Sequence, residues 1–136
     1  MAFELYGLLS EGAPDITLDS LASDLKQFFS QTEGFRLDHE DDPFDSSRRN
    51  LLLTWGPWWT RVFLESGTEI AAALAEITAL AGEDALEKQL EIDRRIRVLF
   101  ADDQDRTYTN HTIFMMDFLG ALPGVAIFDP QRKVFL

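Results

Sequence analysis

"NLLLTWGPWWTRVFLES", Asn50 to Ser66, decides how this chain folds. Its aromatic and β-branched residues favour extended backbone, and Gly56-Pro57 interrupts them at the centre. Glycine can supply the positive φ at the first central position of a type II′ turn, and proline's fixed negative φ suits the second. The stretch then becomes two strands and a tight turn. The competing reading is one continuous strand with a bulge at Gly56. The hairpin is adopted because a two-residue turn suits this spacing.

Upstream, "FELYGLLS" is compatible with a strand and "EGAPD" with a connector. Leu18, Leu21, Leu25, Phe28 and Phe29 recur at helical spacing. Thr17 is placed as N-cap, Ile16 and Leu21 as a hydrophobic staple, and Gly34 as the stop. "FRLDHE" then reads as a strand running into an acidic loop. Downstream, "SGTEIAAALAEITALAG" carries a Ser66/Glu69 capping box, a stripe of Ile70, Ala73, Leu74, Ile77 and Leu80, and Gly82 as its end. "EDALEKQLEIDR" suits a short polar helix through Leu86 and Leu90. "RIRVLFADD" reads as a strand with Ile96, Val98 and Phe100 on one face. "FADDQDRTYTNH" is a strand–loop–helix junction in which Thr109 is the N-cap and Tyr108 and Ile113 are the staple, the helix ending at Leu122-Pro123-Gly124. "GVAIFDPQRKVFL" closes as a short strand, an Asp-Pro turn and an edge strand.

Helices alternating with strands predict an α/β, or α+β, sandwich: one mixed, mainly antiparallel sheet with about three helices packed on it. A ferredoxin-like arrangement with additions is one form this could take. With 136 residues, 46% hydrophobic and 26% charged, the chain is expected to form a single globular domain over 1–136. No secretory signal pattern stands at its start, and Glu76 interrupts the longest apolar run, well short of the roughly 20 residues of a membrane span. A soluble protein is expected. The absence of cysteine removes disulfides and thiolate chemistry and fits a cytoplasmic setting. A net charge of −12 repels phosphate backbones and attracts basic protein surfaces, so nucleic acid is disfavoured as a partner.

Two acidic clusters stand out. "DHEDDPFD" contributes Asp38, Glu40, Asp41, Asp42 and Asp45 around His39, and the junction loop contributes Asp102, Asp103 and Asp105 ahead of His111. Neither shows a phosphate cradle, an HExxH pattern or a nucleophile elbow. Asp103, Asp105 and Thr107 imitate alternating calcium ligands, yet the glycine and final glutamate of an EF-hand loop are missing. No metal or cofactor is expected. If the Gly56-Pro57 hairpin forms and the following helix returns the chain across the sheet, both clusters are expected at one end, as a joint surface. Trp58 and Trp59 point to opposite faces of a strand, so one is a candidate anchor for a partner. Arg94, Arg95 and Arg97 read as a charged strand edge or a small anion site.

The small size, the acidity and the run "RVLFADD…NHTIFMMDFLGALPGVAIFDP" resemble the small bacterial immunity proteins of polymorphic or contact-dependent toxin systems. Those families differ in fold, and no functional residue carries over from them. The resemblance implies an inhibitor that binds one cognate effector and has no turnover. On that reading the two clusters supply steering and charge-assisted contacts to a basic partner, with Trp58 or Trp59 as apolar anchor. The alternative is a hydrolase or metal-assisted enzyme, which requires His39 and His111 to converge on one site.

Overall fold

A computed structural model of the chain describes residues 3–10, 13–81 and 92–136. The strands are β1 (Phe3–Ser10), β2 (Phe35–Asp42), β3 (Asp45–Trp55), β4 (Trp58–Ser66), β5 (Ile92–Phe100), β6 (Val125–Asp129) and β7 (Val134–Phe135). The helices among the described residues are α1 (Leu18–Phe28), α2 (Thr68–Ala81) and α3 (Thr109–Gly120). Of the polar helix expected from "EDALEKQLEIDR", residues 83–91 lie outside the described residues, and Ile92, Asp93 and Arg94 belong to β5 instead.

The hairpin forms. Trp55 pairs with Trp58 across a two-residue turn in which Gly56 has φ +60°. Around it the strands assemble in the order β2-β3-β4-β5-β1-β6-β7, and each neighbouring pair is antiparallel. The sheet is therefore α+β and antiparallel, without the mixed pairing expected from the alternation. Parallel β5 and β6, linked through α3, are split by β1. Beyond that unit the order does not establish a ferredoxin-like sheet.

Helices cover both faces. On one, α1 and α3 bury Leu21, Leu25, Met115, Phe118 and Leu119 against Leu5, Leu53, Trp55, Trp58, Val98 and Phe100. On the other, Ile77 of α2 packs with Tyr6, Leu8 and Phe128. Thr17 caps α1 through a reciprocal pair of bonds: its Oγ1 accepts the Ser20 N–H, and the Ser20 Oγ accepts the Thr17 N–H, each at 3.0 Å. Ile16 and Leu21 both join the core as the staple requires. The helix stops at Phe28, earlier than Gly34, whose φ of +77° instead shapes the turn into β2. Ser66 is the last residue of β4 and α2 begins at Thr68, so the expected Ser66 cap is displaced. No helix among the described residues is long and apolar enough to cross a membrane.

Candidate functional site

The β5–α3 loop faces the Trp55–Trp58 turn. This follows from the register: Thr60 of β4 pairs with Phe100 at the end of β5, and the Ala101 N–H donates to the Trp59 carbonyl at 3.0 Å. Trp58 fastens the two segments by donating its Nε1–H to the Ala101 carbonyl at 3.1 Å. Its ring stacks on Tyr108 with centroids 4.9 Å apart and planes 3° apart, and His111 lies 4.9 Å from the Trp55 ring. Within the loop the Asp103 carboxylate accepts the Tyr108 N–H at 2.9 Å, while its carbonyl accepts the Arg106 N–H at 3.0 Å. Arg106 takes a left-handed φ of +58°, and the Thr109 hydroxyl donates to its carbonyl. A carboxylate held by a backbone donor in this way presents a fixed charge on an ordered loop.

This arrangement corrects the expected helix start. Tyr108, not Thr109, occupies the N-cap position, and it offers no side-chain cap. Tyr108 turns inward to stack on Trp58, while Ile113 is exposed, so the staple between them is not made. Burial lowers the His111 pKa, with the Asp103 charge opposing it, and the ring stays neutral at neutral pH.

Two concavities flank Trp58. One, of about 310 Å³, includes Phe3, Phe100, Asp102, Asp103 and Thr112 in its lining. The other, of about 240 Å³, lies among Pro57, Asp102, Asp103, Asp105 and Tyr108.

The second acidic cluster is elsewhere. Because Phe35 pairs with Trp55, the β2–β3 turn lies at the opposite end of the sheet from the Gly56-Pro57 turn. β4 spans nine residues, which separates the two ends by about 30 Å. The joint acidic surface is therefore not formed, although the hairpin on which it was predicated is. The error lies in the next connection: Ser66 pairs with Arg94, so the chain leaves β4 and re-enters β5 at the same end, and β5 runs antiparallel to β4.

Three of the five carboxylates of the β2–β3 cluster face an arginine. Arg61 Nε lies 2.7 Å from Glu40 Oε1, which also accepts the Asn50 side-chain N–H. Arg36 lies 3.7 Å from Asp38, and Arg48 lies 3.4 Å from Asp45. Hydrogen bonds from the Ser47 side chain and backbone hold the Asp45 pKa below its ordinary value. Asp42 accepts the Phe44 N–H at 2.8 Å, and Phe44 stands 71% exposed at the tip. The sequence reading missed Phe44; the signal was an apolar residue inside a turn-forming "DDPFD".

Trp58 is 4% exposed, so it is a core residue and no anchor, fastened by its stack and its indole bond. Trp59, on the other face, is half-buried with the Arg61 guanidinium 4.4 Å from its ring centroid. The three arginines of β5 are central rather than on an edge, since β5 lies between β4 and β1. Arg95 is 2.6 Å from Glu65 and lies over the Tyr6 ring, Arg97 lies over Phe63, and Arg94 donates to the Pro14 carbonyl. Their charges are spent inside the fold.

His39 and His111 do not meet. His39 pairs across from Leu51 and lies 3.3 Å from Asp19, whereas His111 packs on Trp55. About 13 Å of strand separates Leu51 from Trp55. No group of three or more metal-ligating side chains occurs among the described residues. Comparison with protein-family models, curated proteins and solved structures gives no match for the chain.

Proposed function

We propose that this chain is an acidic protein-binding module, an immunity-type inhibitor that captures a basic effector through the β5–α3 loop and the adjoining Gly56-Pro57 turn. One observation carries the choice of surface. Asp103 and Asp105 take part in no ion pair among the described residues and stand on a loop ordered by the Tyr108 and Arg106 amides, whereas three of the five carboxylates of the other cluster, Asp38, Glu40 and Asp45, each face an arginine. Uncompensated carboxylates on an ordered loop steer a cationic partner and form charge-assisted bonds on arrival. Trp59 supplies apolar area at the same end of the sheet, paired with Thr54 beside the turn. Asp38, Glu40, Asp41, Asp42 and Asp45 belong to a separate surface whose exposed apolar residue is Phe44. Such an inhibitor acts in the cytoplasm of the cell that makes it, and turns nothing over.

The test is capture from the source cell with the native chain and with an Asp102→Lys, Asp105→Lys variant, followed by association kinetics with the identified partner. Asp103 is left intact because it holds the Tyr108 amide. The variant is expected to associate about tenfold more slowly at low salt, with the difference shrinking as salt screens it. Equal association rates at low salt would exclude this loop as the docking surface.

A further inference from the structure

The sheet ends on a long strand whose outer edge is open among the described residues. β2 is eight residues long and pairs only with β3, whereas the opposite edge is β7, of two residues. The register fixes which backbone groups β2 turns outward. The Trp59 carbonyl accepts the Ala101 N–H, so Trp59 presents its backbone to β5, and its neighbours Trp58 and Thr60 present theirs to β3. Their partners Trp55 and Leu53 face β4 in return, which leaves Thr54 and Leu52 to bond Arg36 and Asp38 of β2. The intervening Leu37 and His39 therefore direct N–H and C=O away from the sheet. No hydrogen bond from another segment reaches their backbone among the described residues.

Natural sheets close such an edge with shortness, proline, lysine or a bulge. β7 is short; β2 has neither proline nor lysine, and its one irregularity lies at its far end, between Asp41 and Asp42. What β2 carries instead is negative charge on both faces. Asp38 lies on one; Asp41 lies on the other, with Asp19 of α1 3.3 Å from the His39 ring. Arg36, 3.7 Å from Asp38, is the strand's one arginine, and Asp41 takes part in no ion pair among the described residues. Two copies joined antiparallel about Asp38, His39 or Glu40 would set carboxylates opposite carboxylates, which opposes self-pairing. A basic strand meets attraction instead. We propose that the β2 edge docks an extended, basic segment of a protein partner, added antiparallel as a further strand. Backbone bonds at Leu37 and His39 supply the attachment, and Asp38 and Asp41 select the charge of the incoming side chains. The edge is separated from β5 and its loop by β3 and β4, and the inference does not rest on the reading of that loop.

The probe is a blocked peptide, acetyl-Lys-Thr-Thr-Lys-Val-Thr-amide, which in antiparallel register sets its lysines opposite Asp41 and Asp38 and its valine opposite Leu37. Chemical shifts and amide exchange of the full chain are followed by NMR during the titration. Saturable binding is expected, with the Leu37 and His39 amides exchanging rapidly in the free chain and becoming protected in the complex. N-methylation of the third peptide residue, whose N–H faces His39, should weaken binding by more than about tenfold, while N-methylation of the second, whose N–H faces solvent, should change it by less than about twofold. Asp38→Lys, Asp41→Lys should bind the lysine peptide about tenfold more weakly and a peptide with glutamates in place of the lysines more tightly, a reversal that misfolding cannot produce. His39→Pro removes an outward N–H while sparing the β2–β3 ladder, and is expected to abolish binding. Asp102→Lys, Asp105→Lys is expected to bind the peptide as the native chain does; loss there would move the site to the β5–α3 loop and overturn the proposal. No saturable binding, equal losses from the two N-methylations, or a dimer of this chain that His39→Pro disperses would overturn it as well.

Discussion

Asp129 is the buried carboxylate whose removal the structure prices most directly. It is 0% exposed at the β6–β7 turn. Its Oδ1 accepts the Gln131 N–H at 2.9 Å, the Gln131 side-chain N–H at 2.7 Å and the Arg132 N–H at 3.2 Å; its Oδ2 accepts the Arg132 Nε–H at 2.9 Å. Gln131 in turn clasps β1, donating to the Glu4 carbonyl and accepting the Glu4 N–H, each at 2.7 Å. Hydrogen bonds to a charged group contribute about 1.5–3 kcal/mol each, but Gln131 and Arg132 are exposed and their donors recover part of that from water. Asp129→Ala is therefore expected to cost about 3 kcal/mol, a fall in Tm of roughly 6–12 °C for a domain of this size. Asp129→Asn, which keeps one acceptor, is expected to cost about half as much. Burial by itself would raise this carboxyl, and the bonds from Arg132 and Gln131 outweigh it, so its folded pKa lies below 3.8. Its stabilisation is complete above the unfolded-state pKa and is lost as pH falls through the folded value. Urea unfolding of native and Asp129→Ala chains should show a constant gap near neutrality that narrows below pH 3.8. A neutral-pH gap under about 1 kcal/mol, or one that persists undiminished in acid, refutes the reasoning.

Two further outcomes can be checked on the purified protein. Glu65 lies 2.6 Å from buried Arg95 and 3.3 Å from Arg97, so Glu65→Ala leaves a buried guanidinium short of its counter-ion and should cost about 3 kcal/mol by urea unfolding. Adding Arg95→Met should recover more than half of that, and no recovery would show that the loss came from packing instead. For His111, an NMR titration should give a midpoint below 6.5, and Asp103→Asn should move it lower still, because the Asp103 charge opposes the effect of burial. The neutral ring's contribution to stability is fully present above pH 6.5 and falls as pH drops through the lowered pKa. An upward move of the midpoint in Asp103→Asn would contradict the assigned cause.

The features legible in the sequence are those encoded within a few residues. The Gly56 turn is local because a positive φ at a two-residue hairpin is a property of the dipeptide itself. The Thr17 cap, the staple of Ile16 and Leu21, and the inward face of Ile96, Val98 and Phe100 were readable for the same reason, since side-chain periodicity and capping need only neighbouring residues. The start of α3 was misread because Thr109 and Tyr108 both suit a helix boundary locally. Stacking on Trp58, far away in the chain, drew Tyr108 into the core.

By itself the sequence determined where α1, α2 and α3 lie to within a few residues, the Gly56-Pro57 hairpin and the strong negative charge. Only the tertiary structure decided where that charge is displayed. The direction of β5 depends on the end of the sheet to which the chain returns after β4, a long-range closure that no local pattern records. That closure set Glu65 beside Arg95, as the β2-β3-β4 meander set Glu40 beside Arg61, neutralising charges that look free in the sequence, and it left Asp103 and Asp105 facing the turn without a counter-ion among the described residues.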